Sequence, residues 1–322
     1  MAQKSNVMKA LLKFVALAIA TIALSCQKAD DVNKEQNEVM NISFSFSGEI
    51  DLSETPMTKA YNVKDWYAFQ VYYRPKDSSE SYRRYAYGFF DNKEDMIISL
   101  KSGYEYQFDV SMAVDGSEKV YSFCLNNAGW TGITNSFIIS STESVRFMYE
   151  GYLYMQSPFE QFDRPAVDRF FGSVEGFVPT EGASVNINMK RVAFGAKFVP
   201  SNFTEGTLEI NIEGSKTLTM TAGEQSTIEE IISFDYIGAA YEDNTYSENI
   251  PVNIIWVKPD GVRTPIVSEP INFKRNILTT IKFEVKDLSS TNTFNITTDD
   301  NFDGEEDITA KQDGTNTEVN PQ

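Results

Sequence analysis

Residues Ser184–Val199 read SVNINMKRVAFGAKFV, and the alternation of apolar positions within them decides the fold. Val185, Ile187 and Met189 alternate with polar neighbours. This two-residue period belongs to a half-buried strand, whose successive side chains point to opposite faces. After Lys190–Arg191 the alternation resumes on the other parity, at Val192, Phe194, Ala196 and Phe198. A slip of one residue turns every side chain to the wrong face. The chain must therefore bulge, bend or change sheets at the basic pair. The pattern returns in Ile271–Val285, INFKRNILTTIKFEV, where Lys274–Arg275 separate two apolar-alternating segments. One β unit is expected before Ser184 and a second after it.

Outward from this stretch the chain reads as many short strands. Asn41–Leu52, NISFSFSGEIDL, opens with Ile42, Phe44 and Phe46 on one face and Ser43, Ser45 and Ser47 on the other. Tyr67–Arg74 and Tyr82–Phe90 are aromatic strands around the polar loop Pro75–Ser81, and Met96–Leu100 and Tyr104–Met112 flank Ser102–Gly103 as a second expected hairpin. Val120–Leu125, Phe137–Ser140 and Val145–Leu153 are weaker strands, and Gln156–Pro179 is the least regular stretch, where the junction is expected. Beyond it come Leu208–Ile212 and Thr217–Thr221, then Pro251–Val257 ending at the turn Lys258–Gly261. Ile266–Phe273, Ile277–Val285 and Phe294–Thr297 follow, and Ser226–Phe234 is open to one short helical turn. Short strands at turn-bounded intervals predict an all-β chain of β-sandwiches. The expected units are 41–175 and 176–298, followed by an acidic, disordered tail over 299–322.

The length of 322 residues suits two domains, and 41% hydrophobic content suffices for two cores. Met1–Ser25 reads as a targeting segment: Lys4 and Lys9 precede the apolar run Phe14–Leu24, which is too short to span a bilayer. It ends in Ala23-Leu24-Ser25-Cys26, which resembles a bacterial lipobox. That resemblance implies cleavage before Cys26 and lipid on its thiol and new amino terminus. Residues 26–40 then form a polar tether. Its acidic start, Gln27–Asp31, resembles the signal that exports lipoproteins of Bacteroidetes to the outer face of the outer membrane.

Without Lys4, Lys9 and Lys13 the chain has 25 basic and 46 acidic residues, a net charge of −21 (28 − 3 − 46). Such a surface does not suit nucleic acid, whose phosphates need a basic face. With Cys26 committed to lipid, Cys124 is alone and no disulfide framework is possible; it reads as a small buried hydrophobe.

Four stretches together point to a family. They are the lipoprotein signal, the alternating strand leading to Met57-Thr58-Lys59-Ala60, the segment Asp168-Arg169-Phe170-Phe171-Gly172, and the paired basic strands Asn188–Arg191 and Phe273–Asn276. In their order and spacing the chain resembles the fimbrillin-type pilus proteins of Bacteroidetes over roughly Cys26 to Thr297. The resemblance implies two transthyretin-like β-sandwich domains in tandem, at the cell surface or in a fimbrium. It also implies cleavage after a basic residue behind the first strand, here between Lys59 and Ala60. Loss of Asn41–Leu52 would then leave unpaired N–H and C=O groups and an apolar trough, a template for a neighbouring subunit's strand. The chain departs from the pattern at its carboxyl end, where Asp299–Gln322 offers only Phe302, Ile308 and Val319, widely spaced. Either the donor segment lies earlier, around Phe294–Ile296, or the protein receives a strand without donating one.

The chain has no histidine, which removes Ser-His-Asp and Cys-His nucleophiles and histidine-based metal sites. No catalytic residue, cofactor or metal is assigned. Asp299–Gly304 begins like a calcium loop but has Ala310 where the final bidentate acid belongs. A second reading stays open: a surface lipoprotein that binds a host or bacterial glycan without assembling. Its stacking platforms would come from Tyr82, Tyr85, Tyr87, Tyr104, Trp66, Trp130 and Trp256.

Overall fold

The computed structural model describes residues 38–52, 63–120, 133–142, 153–154, 161–286, 293–300 and 306–311. Among these residues ten strands precede Val192: β1 (Val39–Gly48), β2 (Trp66–Pro75), β3 (Arg83–Phe90), β4 (Ile97–Lys101), β5 (Tyr104–Ala113), β6 (Ile138–Ile139), β7 (Leu153–Tyr154), β8 (Gln161–Phe162), β9 (Arg169–Phe177) and β10 (Ser184–Arg191). Nine follow: β11 (Ala193–Ser201), β12 (Thr207–Ile212), β13 (Leu218–Thr221), β14 (Ile228–Ser233), β15 (Ser247–Val257), β16 (Arg263–Lys274), β17 (Ile277–Glu284), β18 (Thr293–Asp300) and β19 (Glu306–Lys311). The protein is all-β.

The first sheet has the order β4-β1-β10-β9-β5-β2-β3-β6. It doubles over at β10, because that strand changes partners along its length. Ser184–Met189 run parallel to Ser43–Gly48 of β1, whereas Lys190 and Arg191 pair with Phe171 and Phe170 of β9. The ring of Phe44 on β1 therefore faces Phe69 of β2 and Phe108 of β5 across the layer, at centroid distances of 4.9 and 5.1 Å. Val185, Ile187 and Met189 are buried in this first core, with Ile42, Phe69 and Phe108.

The second unit has two sheets, β14-β11-β17-β18-β19 and β13-β12-β15-β16. Phe194, Phe198, Ile281 and Phe283 of one sheet meet Leu208, Ile254, Ile271 and Phe273 of the other in the second core. That core continues onto the outer face of the first unit through Trp66, Phe89, Val167 and Phe171. At each basic pair the chain changes sheets, as the alternation requires. It passes from β10 to β11 at Val192, and from β16 to β17 at Arg275–Asn276.

Several expectations are corrected. The stretch 156–179, read as the least regular, holds strand β9, which pairs with β5, so the first sheet runs on through it to β10. β4 and β5 form no hairpin: β4 pairs with β1, and β5 with β2 and β9, so Ser102–Gly103 carries the chain between layers. Both strands bury apolar residues in one core, Ile98 and Leu100 from one side and Tyr106 and Phe108 from the other. Ser226–Phe234 contains strand β14, not a helical turn, because its β-branched Ile231 and Ile232 pair with β11. The longest described helix, Ile237–Glu242, follows it. The tail from Asp299 is not without structure: Glu306–Lys311 pair with Thr293–Thr298. Asp299 and Asp300, the start of the calcium-like stretch, end strand β18 opposite Leu278 and Ile277.

Candidate functional site

The first strand lies inside a sheet rather than at its edge. β1 runs antiparallel to β4 on one side and parallel to β10 on the other. Its alternation explains the fit. Ile42 is wholly buried, and Phe44 and Phe46 lie half-buried over the first core. Phe46 stacks on Tyr67 with ring centroids 5.4 Å apart. On the opposite face the polar residues tie β1 sideways to both neighbours. Ser45 Oγ donates to Asn186 Oδ1 at 3.1 Å, Asn186 Nδ2 donates to Ser47 Oγ at 2.9 Å, and Ser99 Oγ donates to Asn41 Oδ1 at 2.8 Å. Without β1, both β4 and β10 would present unpaired backbone along a trough lined by Phe69, Tyr67 and Phe108.

β1 ends at Gly48, whose φ of +94° belongs to the glycine-favoured region. A Cβ there would lie 2.8 Å from the backbone oxygen of Met189 and against the Asn188 side chain. The tight exit delivers Glu49 to the crossing between the two units. Glu49 accepts the backbone N–H of Arg191 at 2.7 Å and both terminal nitrogens of Arg275, at 2.7 and 3.1 Å.

Around it the crossing is a buried polar network. Arg191 makes a two-pronged ion pair with Asp168, at 2.9 and 3.0 Å, and donates to Asn276 Oδ1 at 3.0 Å. Arg275 also donates to the Arg191 carbonyl at 2.9 Å. The Asn276 backbone N–H reaches the Ala193 carbonyl at 2.8 Å. Burial pushes the Asp168 carboxyl up from its ordinary value, and the Arg191 guanidinium opposes that shift. The network locks the ends of β1, β10 and β16 together.

Cys26, Lys59 and Ala60 lie outside the described residues, as do Cys124 and Trp130. The basic pairs were legible in the sequence, but Glu49, Asp168 and Asn276 as their partners were not. Of the candidate platforms, Trp66 is buried edge-on against Phe89 and Tyr87 is buried. Trp256 is half-buried beneath the Lys258 ammonium, with its indole N–H on the Glu205 carbonyl. Tyr82 is capped by the Arg74 guanidinium. Tyr85 and Tyr104 come together, both packing edge-to-face on Tyr73.

No protein-family model matches the chain, and no curated protein matches it. Solved structures do. A fimbrial assembly protein from Parabacteroides distasonis is 11% identical, with 85% of this chain and 99% of that chain covered and a TM-score of 0.37. The fimbrial anchor protein Mfa2 from Porphyromonas gingivalis is 9% identical, with 85% and 100% covered and a TM-score of 0.38. The tip fimbrial protein Mfa3 from the same organism, truncated at its carboxyl end, is 10% identical, with 80% and 97% covered and a TM-score of 0.32.

Proposed function

We propose that this chain is a structural or adhesive pilus subunit at the bacterial surface, carried there by lipid on Cys26. In this reading the bond between Lys59 and Ala60 is cut, β1 leaves with residues 26–59, and a neighbouring subunit's strand takes its place. Catalysis has no part in it. The observation that supports the reading is the position of β1. It is an inner strand, flanked by β4 and β10, yet it precedes Lys59, so one cut severs it from everything it pairs with. The sequence resemblance to fimbrillin-type proteins supports it independently.

A receiving rather than donating role suits the carboxyl end. Phe294–Ile296 belong to β18, which β17 and β19 flank on both sides, and the tail itself supplies β19. Among the described residues, both Phe294–Ile296 and the tail segment Glu306–Lys311 are already paired within this chain, which supports a tip or anchor position.

The deciding experiment is the intact mass and amino-terminal sequence of the protein from its native envelope. A start at Ala60 supports strand replacement. A lipidated start at Cys26 as the sole form overturns it and leaves a monomeric anchor. A Cys26→Ala variant that still takes up labelled fatty acid overturns the lipid assignment.

A further inference from the structure

We propose that a pocket at the open end of the first sandwich binds an acidic glycan, holding one carboxylated sugar residue such as a uronic acid. The pocket has a volume of about 480 Å³, within the size range of small-ligand sites. Its wall is built from Tyr73, Tyr85, Tyr104 and Tyr106, joined edge-to-face with centroids 5.4 to 5.5 Å apart. Two of these rings are fixed through their hydroxyls. Tyr85 donates to the Ser99 carbonyl at 3.1 Å, and the Tyr106 oxygen sits between the Lys101 N–H and carbonyl at 3.0 and 3.2 Å. The hydroxyls of Tyr73 and Tyr104 make no hydrogen bond among the described residues, and both rings are half-buried, so each can offer a polar tip to a ligand.

The charge at this site is the second observation. The chain carries 46 acidic residues against 28 basic ones, yet the described lining holds two cations, Arg84 and Lys101, and no carboxylate. Lys101 has no ion-pair partner among the described residues, and Arg84 meets only the Thr142 carbonyl, at 2.8 Å. Two exposed cations beside the same aromatic wall are arranged for an anion. A guanidinium accepts a carboxylate in two-pronged fashion and an ammonium acts as a point charge. The remaining wall is Ile139, Ser140, Ser141 and Thr142; Ser140 Oγ accepts the Thr142 N–H at 3.3 Å, and the Ser141 and Thr142 hydroxyls are the ones offered to sugar hydroxyls. Aromatic faces, hydroxyls and an anion site together match a carboxylated saccharide better than a peptide or a bare anion. The assignment is independent of strand replacement, because no β1 residue lines the pocket.

The test is affinity electrophoresis of the full chain through gels containing polygalacturonate, neutral dextran or polyglutamate. Retardation is expected in polygalacturonate alone. The variant carrying Arg84→Ala and Lys101→Ala should bind about a hundredfold more weakly, at about tenfold for each lost charge-assisted contact, and Tyr104→Ala about tenfold more weakly through loss of a ring and its hydroxyl. Unchanged melting temperatures for these surface variants would show that the fold is intact. The proposal is overturned by no retardation in polygalacturonate, by equal retardation in polyglutamate or dextran, or by variants that bind like the parent.

Discussion

The carboxylate of Glu49 accepts both terminal N–H groups of Arg275, 226 residues later in the chain. Glu49 directly follows the first strand, and Arg275 sits where the second unit changes sheets. The strand that the fimbrial reading would remove is thus also the strand that supplies the counter-charge to a buried guanidinium of the other unit. Occupancy of the β1 slot and the state of the crossing are linked through one side chain.

Replacing Glu49 by Ala therefore strands Arg275, whose side chain is 5% exposed, and leaves the Arg191 N–H without its acceptor. Loss of one partner of a fully buried pair costs roughly 3–5 kcal/mol. Glu49 itself is 27% exposed, and solvent screening reduces the expected loss to about 2 kcal/mol. Urea unfolding should show a lowered midpoint with an unchanged slope; a midpoint within error of the parent would remove Glu49 from the network.

Asp168 and Arg191 form the deeper pair, with side chains 8% and 7% exposed. Asp168→Ala is expected to cost roughly 3–5 kcal/mol, because it leaves the buried guanidinium without its Asp168 counter-charge. Asp168→Leu combined with Arg191→Met should cost less than Asp168→Ala alone, since no uncompensated charge remains. A double-mutant cycle by denaturant unfolding measures the coupling. Additive effects would mean the two side chains act independently, contrary to the geometry.

How much of this was legible in the sequence depends on the period of each signal. The parity change across Lys190–Arg191 required a break in the sheet, and the chain does pass there from one unit to the other. Alternation says which face a residue takes but not which strand lies beside it, so Met96–Leu100 and Tyr104–Met112 looked like a hairpin. They instead face one core from opposite layers. β9 was hidden because Arg169, Phe170, Phe171 and Gly172 are all buried, the first unit on one side and the second on the other, which erases the alternation. Glu49 and Asp168 carry no local signal, since their partners are distant in the chain. Tyr85 and Tyr104 were legible as candidate contacts; Tyr73 and Arg84 join them through the pairing of β2 with β3 and β5, and Lys101, at the end of β4, through its backbone contacts with the Tyr106 hydroxyl.

Gly48 should not tolerate a side chain. Its positive φ and the approach of the Met189 carbonyl make Gly48→Ala costly by about 1–3 kcal/mol, the range for a strained backbone site. The same change at Gly223, where φ is +83° but nothing lies within 4 Å of the added carbon, should cost less. Thermal melts of the two variants side by side separate backbone strain from collision; equal losses would show that collision at Gly48 contributes nothing.

Acid should loosen the segment that covers the end of β3. Burial raises the Asp91 carboxyl, but Lys64 Nζ at 2.9 Å and Asn135 Nδ2 at 2.8 Å outweigh it, and the carboxyl lies below its ordinary value of 3.8. A depressed folded value means that the unfolded chain binds this proton more tightly. Its stabilising effect is present above the ordinary value and is lost as pH falls through the folded one. The parent should therefore lose more stability than Asp91→Asn on going below about pH 4. Parallel unfolding curves for the two proteins across that range would contradict the assignment.

The last prediction joins the strand to the crossing. Cleavage of the purified chain after Lys59 should leave residues 26–59 bound, because β1 remains paired on both edges and Ile42 stays buried. Stripping that fragment with denaturant and refolding should give a chain with a lower melting temperature, open along β4 and β10 and lacking the Glu49 carboxylate. A synthetic peptide of residues 39–52, VMNISFSFSGEIDL, should restore the melting temperature. A peptide with Phe44→Ser and Phe46→Ser should not, because the trough is filled by those two rings. A peptide with Glu49→Ala should restore most but not all of it, the shortfall matching the loss in the Glu49→Ala protein. If all three peptides behave alike, the slot does not read the side chains of its strand, and replacement by a partner's strand would have no basis for selecting register.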